Sequence, residues 1–378
     1  MMKICIIGGG AAGLACAVFL GRKGCDVTLL ERGARLGRKL SATGNGQGNV
    51  TNAAMGAEHY FSDCSDRVGA ALARFGADDT VAFLESMGGI FLRDARGRVY
   101  PASKQASAVT DLFRREIERL KVNVVLNAHV KEFAYEGKFR IVWAEGQMCA
   151  DAVILAAGGC ASPSFGTDGG AYAFAQRFGH TLVQPRPVLV QLRCEKEGVR
   201  GLKGIRVDTL VRVMRKGKEL ARCRGDVLFT DSGVSGDAVF RASSYAAAGD
   251  ELLLDFLPDV SRERLAAAVG TGADGLLCIV NNTLARAIEK RANGDRARVL
   301  ALVKEYPLAV TGSLGFDYAQ VTRGGIPLAE TDSDFQSAKR AGLYLAGEIL
   351  NVDGECGGYN LQWAFTSAYC VCERLSRK

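Results

Sequence analysis

The chain has 378 residues, 48% hydrophobic and 24% charged, which leaves room for two or three domains with a large buried core and excludes a disordered chain. Its net charge of +7 is modest for that length. No apolar run reaches the ~18 to 20 residues that cross a bilayer, and Met1 to Cys5 lacks the apolar region of a signal peptide, so a cytoplasmic protein with no membrane partner is expected.

In chain order, residues 3–8 form a short apolar run that predicts a buried strand. Residues 11–23 read as a helix opening on small side chains, and 26–30 as a second strand ending at Glu31. A Gly/Asn loop over 41–52 has no periodicity. Helices follow at 66–75, 78–87 and 104–120, a strand at 122–127, a small antiparallel meander at 129–149 and a buried strand at 152–159. The pattern changes near Pro185-Arg186-Pro187. Short alternating segments over 188–256 predict an antiparallel β-domain, and 261–306 is helical until Pro307. A last buried strand at 343–348 and a helix at 359–375 complete the chain. The expected fold is α/β: a Rossmann-type domain in two parts, 1–187 and 311–378, with an inserted β-barrel-like domain at 188–258 and a helical segment at 259–310.

Gly8-Gly9-Gly10-Ala11-Ala12-Gly13 sits between strand and helix as G-x-G-x-x-G. Gly8 permits the turn, Gly10 lets the backbone approach a diphosphate, and Gly13 lets helix and strand pack closely. The diphosphate then rests on the helix N-terminus, against Ala11 and Ala12. Glu31, 18 residues beyond Gly13, stands where an acid accepts hydrogen bonds from an adenosine ribose, with Arg32 beside it. Two later strand-to-glycine turns, Ala156-Ala157-Gly158-Gly159 and Ala346-Gly347-Glu348, favour FAD over NAD by analogy with two-dinucleotide flavoproteins.

The sequence also resembles the BaiN-like (YhiN-type) FAD-dependent oxidoreductases, a group that includes aminoacetone oxidases. The resemblance spans nearly the whole chain. It is strongest in Gly37-Arg38-Lys39-Leu40 with Thr43 to Asn52, and in Asp353-Gly354-Glu355-Cys356-Gly357-Gly358-Tyr359-Asn360-Leu361-Gln362. It recurs from Gly158 to His180, in Leu228 to Gly236, in Val321-Thr322-Arg323-Gly324-Gly325 and in Gly342 to Glu348. It implies that Arg38 and Lys39 lie beside the adenosine and diphosphate, that Asn45, Gly46, Asn49 and Thr51 line the flavin, and that Val130 meets the adenine. Gly347 and Glu348 would approach the ribitol, and Gly358, Asn360 and Leu361 would set a helix N-terminus against the flavin pyrimidine edge. The chain departs from the family pattern at Gln47-Gly48, at Gly236-Asp237 and over Asp332–Gln336.

Arg323, in its Gly-flanked loop, is a candidate to hold a substrate carboxylate or reduced flavin, and Cys356 and Tyr359 are weaker catalytic candidates beside the flavin-facing helix. His180 reads as a helix-cap or core residue, and His59 and His129 as surface or structural ones. Twelve Cys without a Cys-x-x-Cys pair, and three His, argue against a metal site. The basic stretch 193–224 reads as a solvated face rather than a nucleic-acid surface. These readings point to hydride transfer at flavin N5, with NAD(P)H as co-substrate, reducing an activated C=C or C=O in a small, partly apolar metabolite such as the bile acids the resemblance implies. The alternatives are an amine oxidase using O2, a flavin-containing RNA-modifying protein, and a flavin-bound scaffold without turnover.

Overall fold

The computed structural model describes residues 2–270, 275, 276 and 278–377. The chain divides into two compact units, Met1–Arg186 with Val321–Lys378, and Pro187–Gln320. The first is built on a five-stranded parallel sheet. Its strands are β1 (Lys3–Ile7), β2 (Asp26–Leu30), β3 (Asn123–Val125), β4 (Ala152–Leu155) and β5 (Leu343–Leu345), in the order β5-β4-β1-β2-β3. All four residues of Ala-Val-Ile-Leu in β4 are buried, as are four of the five in β1, because helices cover both faces of a parallel sheet.

Three helices matter to the site: α1 (Ala11–Arg22), α2 (Ala106–Arg119) and α3 (Tyr359–Ser376). The small residues of α1 let α3 pack on it, so that the Cys372 thiol reaches the Cys16 carbonyl at 3.7 Å. The predicted meander forms as three antiparallel strands, Val130–Tyr135, Phe139–Trp143 and Gly146–Ala150. The Gly/Asn loop acquires structure at its end, where Thr51–Asn52 pairs with Arg98–Pro101. Short strands at Tyr60–Ser62 and Val352–Gly354 pair with each other, and neither carries a periodic signal long enough to read.

The second unit holds a closed six-stranded antiparallel barrel. Around it run Leu192–Cys194, Gly233–Ser235, Lys218–Phe229, Arg206–Arg215, Glu251–Asp255 and Tyr306–Ser313, the last closing on the first. The long hairpin turns at Lys216-Gly217, both with positive φ, the twist that two-residue hairpin loops favour. Helices Arg262–Gly270, Asn282–Ala292 and Arg296–Lys304 follow the fifth strand, while residues 271–274 and 277 of the expected helical stretch lie outside the described residues.

Two expectations are refined by the structure. The span 188–256 is not all strand, since it contains the helices Lys196–Val199 and Asp237–Ser243. Pro307 does end the helical pattern, but it stands inside the last barrel strand opposite Leu253. That strand straddles the expected boundary at 310, so the unit runs on to Gln320. The physical reason is ring closure, because the barrel needs a sixth strand and the chain supplies it only after the helices.

Candidate active site

The C-terminal ends of β1, β2, β4 and β5 carry the glycine turns and acids that the sequence singled out, which is where open α/β sheets bind ligands. Gly8 has φ +111°, and a Cβ there would come within 2.6 Å of the Ala156 carbonyl oxygen, so the first turn and the Ala156–Gly159 turn abut. A Cβ on Gly13 would overlap the Gly8 carbonyl oxygen. Gly10, in contrast, faces open space and is the N-cap of α1. No side chain caps α1, and no acid lies in its first turn. The N–H groups of that turn, through Ala11 and Ala12, are therefore the unsatisfied donors of a helix start, suited to a diphosphate.

Glu31 is held rigidly. Its Oε2 accepts from Gly9 N and its Oε1 from Gly33 N, both at 2.7 Å. A carboxylate has about four acceptor positions, so lone pairs remain for ribose hydroxyls. Val130 opens the meander two residues beyond Ala128, whose N–H donates to the Glu31 carbonyl. Arg32 and Arg38 turn to the 162–168 loop: Arg32 pairs with Asp168 at 2.7 Å, and Arg38 donates to the Ser164 carbonyl at 2.8 Å. Burial alone would raise the Asp168 carboxyl, but Arg32 and the Gly170 N–H hold it below its ordinary value.

Lys39 and Glu348 meet at 2.9 Å across 309 residues of sequence. The other Glu348 oxygen accepts from Thr322 N at 2.8 Å, and Thr322 Oγ1 accepts from Cys160 N and Ala161 N. A cation, an acid and a buried hydroxyl thus tie the turns after β4 and β5 together beside Ala157 and Gly158. Thr322 was not among the residues read from the sequence; its only signal there was its place in the Val-Thr-Arg-Gly-Gly segment. Gly347 lies against Ala12, and its N–H donates to Ser367 Oγ of α3 at 2.8 Å.

Asn45 takes a left-handed φ of +54°, and Gly46 faces open space. Gly48, where the chain departs from the family pattern, packs under α2: a Cβ would come within 2.9 Å of Ala106 Cα. Asn49 is buried, and its Oδ1 has no hydrogen-bond partner among the described residues. Thr51 Oγ1 donates to Gln362 Oε1 at 2.6 Å, and the Thr51 carbonyl lies directly under Gly358, the uncapped N-cap of α3 with φ +103°. The Gly/Asn loop and the α3 N-terminus therefore come together, with Leu361 partly buried in the first turn.

Several side chains have other duties than those expected of them. Asn360 faces back, accepting from Gly354 N at 2.8 Å and donating to the Gly354 carbonyl at 2.7 Å, so only its backbone belongs to the helix start. Arg323 donates to both Asp353 oxygens at 2.7 to 3.0 Å and lies 3.6 Å over the Phe61 ring. The guanidinium is thus paired with a carboxylate of the chain in this arrangement. Asp353 is 1% exposed, and burial raises its pKa although Arg323 opposes the rise. Tyr359 donates to the Ala54 carbonyl at 3.2 Å, and burial, with Glu355 and Glu58, pushes its phenol up. Burial, then Glu348 and Asp168, also pushes the Cys160 thiol up, which disfavours its thiolate. Cys356 is half-buried.

No disulfide joins the described cysteines, and among the described residues no group of three His, Cys, Asp or Glu could hold a metal. No helix among them is long and apolar enough to cross a membrane.

The donor set fits FAD: an open cradle at Gly10, an uncapped helix start, a fixed acid at the end of β2 and a second uncapped helix beside the Gly/Asn loop. The family described as the HI0933-like protein Rossmann domain matches residues 2–374. The chain is 35% identical to the 3-dehydro-bile acid delta(4,6)-reductase of Clostridium scindens, over 98% of both proteins. It is 29% identical to a ribosomal RNA dihydrouridine synthase of Haemophilus influenzae, over 99% of this chain and 98% of that one. Among solved structures, the 3-ketosteroid delta1-dehydrogenase of Sterolibacterium denitrificans covers 99% of each chain with a TM-score of 0.56 at 13% identity, a likeness of fold. The chain belongs to the HI0933-like Rossmann family and is an FAD-dependent oxidoreductase.

Proposed function

We propose that the enzyme uses NAD(P)H to reduce a C=C conjugated to a carbonyl in a small, largely apolar, steroid-like metabolite. The observation that carries this reading is the 35% identity, over 98% of both proteins, to a reductase named for removing such double bonds from a bile acid. The dihydrouridine synthase name denotes the same chemistry, since uridine becomes dihydrouridine by saturation of a C=C next to a ring carbonyl. FAD, when bound, supplies the hydride.

The chain's own residues bind and orient. The α1 start receives the diphosphate, Glu31 the adenosine ribose, and the Lys39–Glu348 pair stands at the turns after β4 and β5. The α3 N-terminus, uncapped at Gly358, offers a positive dipole end to negative charge on the reduced ring.

The second reading, an RNA substrate, has the dihydrouridine synthase likeness in its favour. The barrel surface counts against it. Arg206, Arg212, Arg215, Arg222 and Arg224, in the basic stretch, pair with Asp226, Glu305, Asp250, Glu219 and Asp259. Paired cations are poor phosphate contacts, so a small molecule is the better fit.

The test is anaerobic mixing of the FAD-loaded enzyme with NADH or NADPH while the flavin band near ~450 nm is followed. Rapid bleaching, reversed by a steroid enone, is the expected result. No bleaching with either nucleotide removes NAD(P)H from the reading, and turnover on uridine-containing RNA alone would establish the second.

A further inference from the structure

His180 is enclosed in the core, and His129 is exposed and forms no ion pair among the described residues, but His59 is placed differently. It closes the short turn Ala57–His59, ahead of the strand that pairs with Val352–Gly354. Its Nδ1 is 3.1 Å from Glu355 Oε2, and Glu355 N donates to the His59 carbonyl at 2.9 Å, so backbone and side chain fix the pair together. Its ring stacks on Tyr359, the first residue of α3, at 4.6 Å and 27°. Its Nε2 lies 3.9 Å from Glu58 Oε1, beyond hydrogen-bond range. The His59 side chain is 28% exposed, so solvent reaches it.

The platform under this ring is rigid. Tyr60 donates to the Tyr359 carbonyl at 2.9 Å, Tyr359 to the Ala54 carbonyl, and Asn52 Nδ2 to the Gly357 carbonyl at 3.0 Å. These contacts belong to the same meeting of the Gly/Asn loop and α3 that forms one side of the candidate site. The pair is therefore a titratable, solvent-reached and oriented group beside the helix start where reduced flavin would be stabilised.

We propose that His59, oriented by Glu355, is the proton donor for the reduction; this rests on the function proposed above. Saturating a conjugated C=C requires a hydride at the β-carbon and a proton at the α-carbon. As hydride arrives from the reduced cofactor, the π electrons move onto the carbonyl oxygen as an enolate. The imidazolium of His59 then gives its Nε2 proton to the α-carbon, the enolate returns to a ketone, and neutral His59 takes a proton from water. The carboxylates of Glu355 and Glu58 and the face of Tyr359 are the groups that meet the imidazole. Glu355 acts through His59 and is a positioning residue.

The test uses FAD-loaded enzyme reduced photochemically, then mixed anaerobically with a steroid enone across a range of pH. Wild type is expected to reoxidise with a rate that falls as pH rises. His59→Asn is expected to slow that step by about 100-fold, within the usual range for a general acid, to lose the pH dependence, and to recover partly with added imidazole. In Glu355→Gln the His59 ring loses the contact that orients it, so its resonances in the apoprotein NMR spectrum are expected to move and the rate to fall. Wild-type enzyme that reduces no enone at any pH overturns the proposed function and this assignment with it. A wild type that reacts while His59→Asn keeps its rate and pH profile overturns the assignment alone.

Discussion

At the scale of single residues, the site depends on contacts too close for any side chain and on one enclosed charge pair. A methyl at position 13 would overlap the Gly8 carbonyl, so Gly13→Ala must push α1 away from β1. The expected outcome is a loss of about 1–3 kcal/mol in stability, the usual cost of overpacking, with weaker FAD binding by fluorescence titration. An unchanged affinity would mean that the turn does not cradle the cofactor. Arg323 and Asp353 make the second case, with side chains 13% and 1% exposed. Arg323→Gln leaves an enclosed carboxylate without its main counter-charge and is expected to cost about 3–5 kcal/mol in chemical denaturation. Arg323→Gln with Asp353→Asn is expected to recover much of that, with KM for the substrate unmoved. A large rise in KM in the recovered double variant would make Arg323 a substrate clamp after all.

At the scale of elements, His180 joins three segments. It follows the helix Tyr172–Arg177, its Nδ1 meets Glu330 at 2.9 Å and its Nε2 meets Ser337 at 2.6 Å. Ser337 Oγ also accepts from Lys339 N and Arg340 N, so its proton points to Nε2 and the imidazole carries its own proton on Nδ1. Burial lowers the His180 pKa, although Glu330 pulls the other way. With the folded value below the unfolded ~6.5, the unfolded chain takes up the proton first. The stability due to neutral His180 is thus complete above that value and is lost as pH falls through it. Denaturation midpoints should drop between about pH 8 and pH 5.5, and the slope should flatten in His180→Gln. A slope that survives the substitution would assign the pH dependence to another group. The sequence reading of His180 as a core or cap residue came from its place after Gly179 at a helix end, while its two partners lie 150 and 157 residues away and leave no local trace.

At the scale of the whole molecule, the two units carry separate cores. One gathers around Phe113, Phe133, Phe139 and Phe365, the other around Val211, Val227, Phe229, Leu252 and Leu308. A closed barrel has no free edge, so residues 187–320 expressed alone should unfold in a single cooperative transition followed by circular dichroism; a broad, non-cooperative melt would show that the barrel needs the rest of the chain. The sequence by itself determined the dinucleotide-binding unit. Gly8, Gly10, Gly13 and Glu31 act within one strand-helix-strand, where sterics, a helix terminus and a short spacing are local quantities. It also singled out Gly347, Glu348 and Gly358 as candidates through segments that resemble a family, but not the partners of those residues. Tertiary structure alone decided that Lys39 meets Glu348, that Arg323 is committed to Asp353, that Asn360 turns away from the helix start, and that Tyr306–Ser313 closes the barrel. Each of these is a choice of partner among groups far apart in the chain. Such choices are settled by which neighbours the packed elements bring within hydrogen-bond reach, a quantity that no local pattern contains.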